Sequence, residues 1–128
     1  MALLSTFISN PVKTIIAYQA QSTSTAGAGD NNIAGGPTYL ISAKIANTNS
    51  GSSAYTKLYN LTAATAGTDT ADVVLLCTGT HTKTYTFHPP LYFSNGISMV
   101  TTSTKGQAGT TAPGTPPAVT LILSSTAS

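Results

Sequence analysis

The side chains best suited to chemistry in this chain are Cys77, His81 and His88, spaced Cys77-x3-His81-x6-His88. A thiolate and two imidazoles are zinc ligands by type, but a structural zinc site takes four ligands and the chain has a single Cys. Their spacing also spans a turn and a whole expected strand, unlike a compact knuckle, so the expectation is a buried Cys, two rim histidines and no metal. A Ser-His-Asp set needs a Ser on a strained turn and an Asp orienting the His. No Gly-x-Ser-x-Gly occurs, and Asp30, Asp69 and Asp72 fall in loops or at a strand start. With three acids and no Glu, hydrolysis by paired carboxylates has no candidates. Asp69 and Asp72, helped by Thr68 or Thr70, could share a calcium ion, although an Asx turn at Asp69 is the commoner use of such a residue. Tyr39, Tyr59 and Tyr85 share phase with core positions and are expected to pack rather than to form a sugar-binding face. These residues predict no enzyme, no catalytic residue and no cofactor.

Composition narrows the class further. The chain has 128 residues, enough for one domain with a core of its own. Charged residues are only 6% of it, far below the roughly 25% of an ordinary domain. Ser and Thr carry the polarity, giving a surface that hydrogen-bonds readily but repels its copies weakly. Lys13, Lys44, Lys57, Lys83 and Lys105 are scattered one per segment, and there is no Arg, so no nucleic-acid partner is expected. A single Cys in the apolar run Val73-Val-Leu-Leu-Cys77 excludes an internal disulfide framework and points to a reducing cytosol. Residues 1–8 lack the basic flank and long apolar core of a signal peptide, and no apolar run approaches a membrane span. The triplet Asn60-Leu61-Thr62 carries no weight as a glycosylation acceptor without a sign of secretion.

The elements that must position these residues are strands. Tyr39, Ile41, Ala43 and Ile45 alternate with Ser42 and Lys44, the period-2 pattern of a half-buried strand. After a small polar loop, Tyr55, Lys57 and Tyr59 alternate with Thr56, Leu58 and Asn60, so 39–61 predicts a β-hairpin or two neighbouring strands. In this phase Tyr39, Ile41 and Ile45 face inward, and Lys44 and Lys57 face solvent or a partner. Further strands are expected at 13–19, 72–78, 83–88, 91–93, 97–102 and 118–123. Pro89-Pro90 marks an edge or corner and Asn95-Gly96 a turn. Long polar loops fill 20–37 and 103–117. The predicted core includes Ile41, Ile45, Tyr59, Leu75, Phe87, Phe93, Ile97 and Leu121. The fold class is all-β, an antiparallel two-sheet β-sandwich of jelly-roll type. Its domains are an arm over 1–12 and a single sandwich over 13–128. Leu3, Leu4, Phe7 and Ile8 of the arm would form a sticky patch on a monomer, so they are interface candidates together with Lys44 and Lys57.

Asn47-Thr-Asn49, Tyr55-x-Lys57-Leu58-Tyr59, Gly67-Thr-Asp-Thr70 and Phe93-Ser-x-Gly96-Ile97-Ser98, followed by Thr101-Thr102, carry a resemblance. In this order they resemble small virion structural proteins of tailed bacteriophages, most of all the head decoration (cement) proteins, over roughly 13–123. The chain departs from the pattern at Ala71, where related sequences often have Pro. It departs again at Lys105-Gly-Gln-Ala-Gly109, where they are more acidic, which weakens any ion site in that loop. The resemblance implies a decoration protein that binds the assembled head, contacts the major capsid protein and works as a homo-oligomer, a trimer or dimer. It would be made in the host cytoplasm and reside on the capsid surface of the virion. The alternative is a tail-associated or host-surface (carbohydrate) binding module using the two long loops.

Overall fold

A computed structural model describes residues 12–19 (backbone only), 31–48, 51–104, 106, 109, 111 and 117–124. They form seven strands: β1 Val12–Gln19, β2 Thr38–Asn47, β3 Ala54–Tyr59, β4 Val73–Cys77, β5 His81–Phe93, β6 Ser98–Thr102 and β7 Ala118–Ser124. One sheet has four strands in the order β1-β7-β2-β5, the other three in the order β4-β3-β6. Every strand pairing is antiparallel. No helix among the described residues is long and apolar enough to cross a membrane. The expected arm lies outside the described residues.

A single apolar cluster draws on both sheets. β2 supplies Leu40, Ala43 and Ile45, β7 supplies Val119, Leu121 and Leu123, and β5 supplies Phe93. From the other sheet come Leu58, Leu75, Cys77 and Met99, with Ile97 just before β6. Each large side chain buried there contributes about 1.5–3 kcal/mol. Polar bonds also cross between the sheets. Asn47 Nδ2 donates to the Cys77 carbonyl at 3.0 Å, and the Tyr85 hydroxyl donates to the Leu76 carbonyl at 2.5 Å.

The strict alternation expected in β2 is broken by a bulge. Register slips between Leu40 and Ser42 against both neighbours: Ile41 is an extra residue against β7, while four residues of β5 stand opposite it. An inserted residue exchanges the faces on one side of it. Leu40 and Ala43 therefore both reach the core three positions apart, and Ile41 is only half-buried. Tyr39 is turned away from the core and stacks on Tyr92, its partner across the ladder, with ring centroids 4.6 Å apart. The inward assignments of Tyr39 and Ile41 are thus corrected, while Ile45 is buried and Lys44 exposed as expected.

Nor do β2 and β3 form a hairpin; the chain passes from one sheet to the other between them. The two expected strands around Pro89-Pro90 are one long strand, β5. Its ladder to β2 covers His81 to Thr86 and Leu91 to Phe93, with 87–90 out of register opposite Ile41. The prolines lie at the sheet's edge, where a missing donor is tolerated. Tyr85 and Phe87 pack half-buried against the core. Gly96, in the turn leading to β6, has φ +133°, and a Cβ there would lie 2.8 Å from Asn32 Oδ1, so the turn is closed to larger residues.

The bulge makes a measurable distinction between Ile41 and Ile45, four residues apart on β2. Ile45→Ala should lower unfolding free energy in urea by about 2–5 kcal/mol, and Ile41→Ala by less than half as much. Equal losses would mean that β2 keeps one phase throughout.

Candidate functional site

The outer side of the three-stranded sheet, away from the main core, holds the most unusual group in the chain. Alternation along β3 sends Thr56 and Leu58 to the core and Tyr55, Lys57 and Tyr59 to the other side. Lys57 was expected at solvent or a partner, yet it is fully buried. Its neighbours in register are Val74 of β4 and Val100 of β6, which give its aliphatic stem apolar flanks. Its Nζ donates to the carbonyls of Gly106 at 2.7 Å and Gly109 at 2.8 Å. Those residues belong to the β6–β7 connection, where Gly109 N–H donates to Gly106 O and Ser103 N–H to Thr111 O. Two carbonyl dipoles solvate the ammonium with no carboxylate among its bonded partners. Burial alone holds its pKa below the ordinary value of 10.5.

Beside it Tyr59 is covered by the β3–β4 connection. Ala64, Ala66 and Ala71 of that connection form a second apolar cluster with Tyr59 and Val100. The Tyr59 hydroxyl is buried and has no hydrogen-bond partner. Burial, with a smaller contribution from the Asp69 carboxylate, raises its pKa above 10.0. Asp69 and Asp72 each accept from a backbone N–H. Asp69 Oδ2 accepts from Thr65 N–H at 2.8 Å, and Asp72 Oδ2 accepts from Asn60 N–H at 2.7 Å. The latter bond closes the base of the connection. Asn60 in turn accepts from Asn95 N–H through Oδ1 and donates through Nδ2 to Ser94 Oγ, fastening the Asn95-Gly96 turn.

Cys77, His81 and His88 do not converge. The buried Cys77 thiol faces the carbonyls of Ile45 at 3.4 Å and His81 at 3.3 Å. His81 Nδ1 donates to the Gly79 carbonyl at 2.7 Å, which fixes the proton there. His88 is exposed farther along β5. Among the described residues no three of His, Cys, Asp and Glu are grouped to hold a metal ion.

Shallow recesses open at the surface of the described residues. One of about 270 Å³ is lined by Asn47, Thr48, Thr80, His81 and Thr82. The other, about 230 Å³, is lined by Asn60, Asp72, Val73, Leu91, Tyr92 and Phe93. Large exposed apolar side chains are Val74 and Leu76 on β4, each 41% exposed, and Tyr92 at 54%. Of the interface candidates, Lys44 is exposed on the side of the four-stranded sheet away from the core, and Lys57 is excluded by burial. Leu3, Leu4, Phe7 and Ile8 lie outside the described residues. Tyr92 was not singled out from sequence, although its alternation with Leu91 and Phe93 carried the signal. Compared with family models, curated proteins and solved structures, the chain matches none of them.

Replacing Lys57 by Met keeps the stem and removes the buried amine. Because a desolvated charge contributes little net stability, Lys57→Met should unfold within about 1 kcal/mol of the parent. Amide exchange at Ser103 and Gly109 should meanwhile quicken at least tenfold. Unchanged exchange would show that the ammonium does not hold the loop. Tyr59→Phe removes an unpaired buried hydroxyl and should stabilise by about 1 kcal/mol in the same urea titration.

The two groups give opposite slopes with pH. Lys57, lowered from 10.5, adds stability as pH rises through its folded-state pKa toward 10.5. Tyr59, raised from 10.0, withdraws stability as pH climbs beyond 10.0. Urea midpoints measured against pH should lose the rise in Lys57→Met and part of the fall in Tyr59→Phe.

Proposed function

We propose that this protein is a virion structural subunit of a tailed bacteriophage, a decoration or cement protein that binds the assembled head and stabilises contacts between capsid subunits. The observation that carries this reading is the strand order. In an eight-stranded jelly roll the first strand pairs with the last, the last with the third and the third with the sixth. The facing sheet runs second, seventh, fourth, fifth. Remove the second strand, and the orders become β1-β7-β2-β5 and β6-β3-β4, which are the orders seen here. This supports a two-sheet sandwich of jelly-roll type, an architecture used by viral capsid domains and also by lectins. Fold alone leaves function open. The near-neutral, Ser- and Thr-rich surface and the resemblance to head decoration proteins favour the capsid.

On this reading the major capsid protein is the partner, the protein acts as a homo-oligomer (a trimer or dimer), and it resides on the capsid surface. A ligand of the assembled shell that ignores free subunits stabilises the shell by mass action. Capsids stripped of the protein should bind the purified chain saturably, at a copy number comparable to the major capsid protein, and should then melt at higher temperature. A few copies per particle would favour a tail-associated or host-surface module instead. No binding to capsids would overturn the reading.

A further inference from the structure

We propose that the side of the four-stranded sheet away from the core binds a neutral polysaccharide chain. Register places its side chains in rows across β5, β2 and β7. These are Thr82–Ala46–Ala118, Thr84–Lys44–Thr120 and Thr86–Ser42–Ile122, followed beyond the bulge by Tyr92–Tyr39. Thr82, Thr84, Thr86 and Lys44 are exposed and Tyr92 is more than half exposed. Side chains on one face of a strand recur about every 6.5–7 Å and neighbouring strands lie about 4.7–4.9 Å apart. The face therefore sets the hydroxyls of Thr82, Thr84, Thr86, Thr120 and Ser42 around Lys44 and ends in an aromatic pair.

Each part suits a sugar chain. Hydroxyl side chains both donate and accept, as sugar hydroxyls do. Tyr92 offers a ring whose apolar face can lie against the C–H edge of a pyranose. Tyr39 stacks behind it at an interplanar angle of 27°, so the platform is held in place before a ligand arrives. In these rows Lys44 is the single charge, so the face has no means of selecting a polyanion. Protein interfaces concentrate aromatic, Met and Arg side chains at their centres, whereas the centre here is Lys44 flanked by Thr84, Thr120, Ser42 and Ala46. Next to Tyr92, the recess of about 230 Å³ adds the Asp72 carboxylate, which accepts from Asn60 N–H through Oδ2 and has acceptor capacity left for sugar hydroxyls. The inference stands apart from the capsid reading, because its rows draw only on the side chains of β2, β5 and β7.

The test is native affinity electrophoresis of the full chain in gels containing hydroxyethylcellulose, dextran, laminarin or galactomannan. Retardation by at least one polymer, persisting when salt is added, is expected. Tyr92→Ala should weaken it roughly tenfold, Tyr92→Phe should retain it, and Val74→Thr on the other sheet should leave it unchanged. Unaltered mobility in all four polymers overturns the proposal. So does retardation that salt abolishes, or that Tyr92→Ala leaves intact.

Discussion

A cation that has left water must be solvated by something else, and in this protein two backbone carbonyls do it. Lys57 sits in the middle of β3, the central strand of its sheet, so it cannot reach solvent by swinging past an edge. Its Nζ is held instead by Gly106 and Gly109 of the β6–β7 connection. A carbonyl offers much less than a counter-ion would, which is why the ammonium is disfavoured and its pKa falls. A neutral amine still has two N–H groups, so losing the proton does not oblige it to release either carbonyl. The tether is therefore independent of the charge, while the stability of the fold is not.

From this constraint follows an asymmetry between the two sheets. The outer side of the three-stranded sheet is roofed by the chain's own connections. One is held by Lys57, and the other rests its alanines on Tyr59 and is closed by Asp72 on Asn60. β3 is thereby covered on both sides, although only one side faces the main core. The outer side of the four-stranded sheet has no such cover among the described residues, and most of its side chains are small or hydroxylic, with Lys44, Ile122, Tyr39 and Tyr92 as exceptions. The roof over the three-stranded sheet is partial, since Val74 and Leu76 on β4 each remain 41% exposed on that side.

Much of this was legible in the sequence, because alternation over short runs is a local property. All seven strands fall where period-2 patterns or apolar runs predicted them, and Cys77, Ile45, Phe93 and Leu121 are buried as their phase required. Two failures have specific causes. The slip at Ile41 has no Gly or Pro to announce it, so Tyr39 was assigned to the wrong side. Lys57 kept the correct phase opposite Leu58, but phase says only that it faces away from the core, not that the outer side is open to water. What covers it comes from residues some fifty positions later, a separation no local pattern reports. The pairing of Tyr39 with Tyr92 is non-local in the same way.

Why a lysine should occupy the roofed position is best seen by asking what an apolar residue would leave undone. Methionine or leucine would satisfy Val74 and Val100 equally well, without desolvating a charge. Neither could hydrogen-bond to the β6–β7 connection, which is rich in Gly, Thr, Ala and Pro and has no large aliphatic or aromatic side chain. A donor at the end of a long stem can reach such a loop through its backbone, which is the one polar feature that every residue supplies. Gly106 suits the far side of that contact because its φ of +87° is a conformation that residues with a side chain rarely adopt. The buried amine is thus a fixed point, at the Gly106 and Gly109 carbonyls, for a connection with no large aliphatic or aromatic side chain of its own.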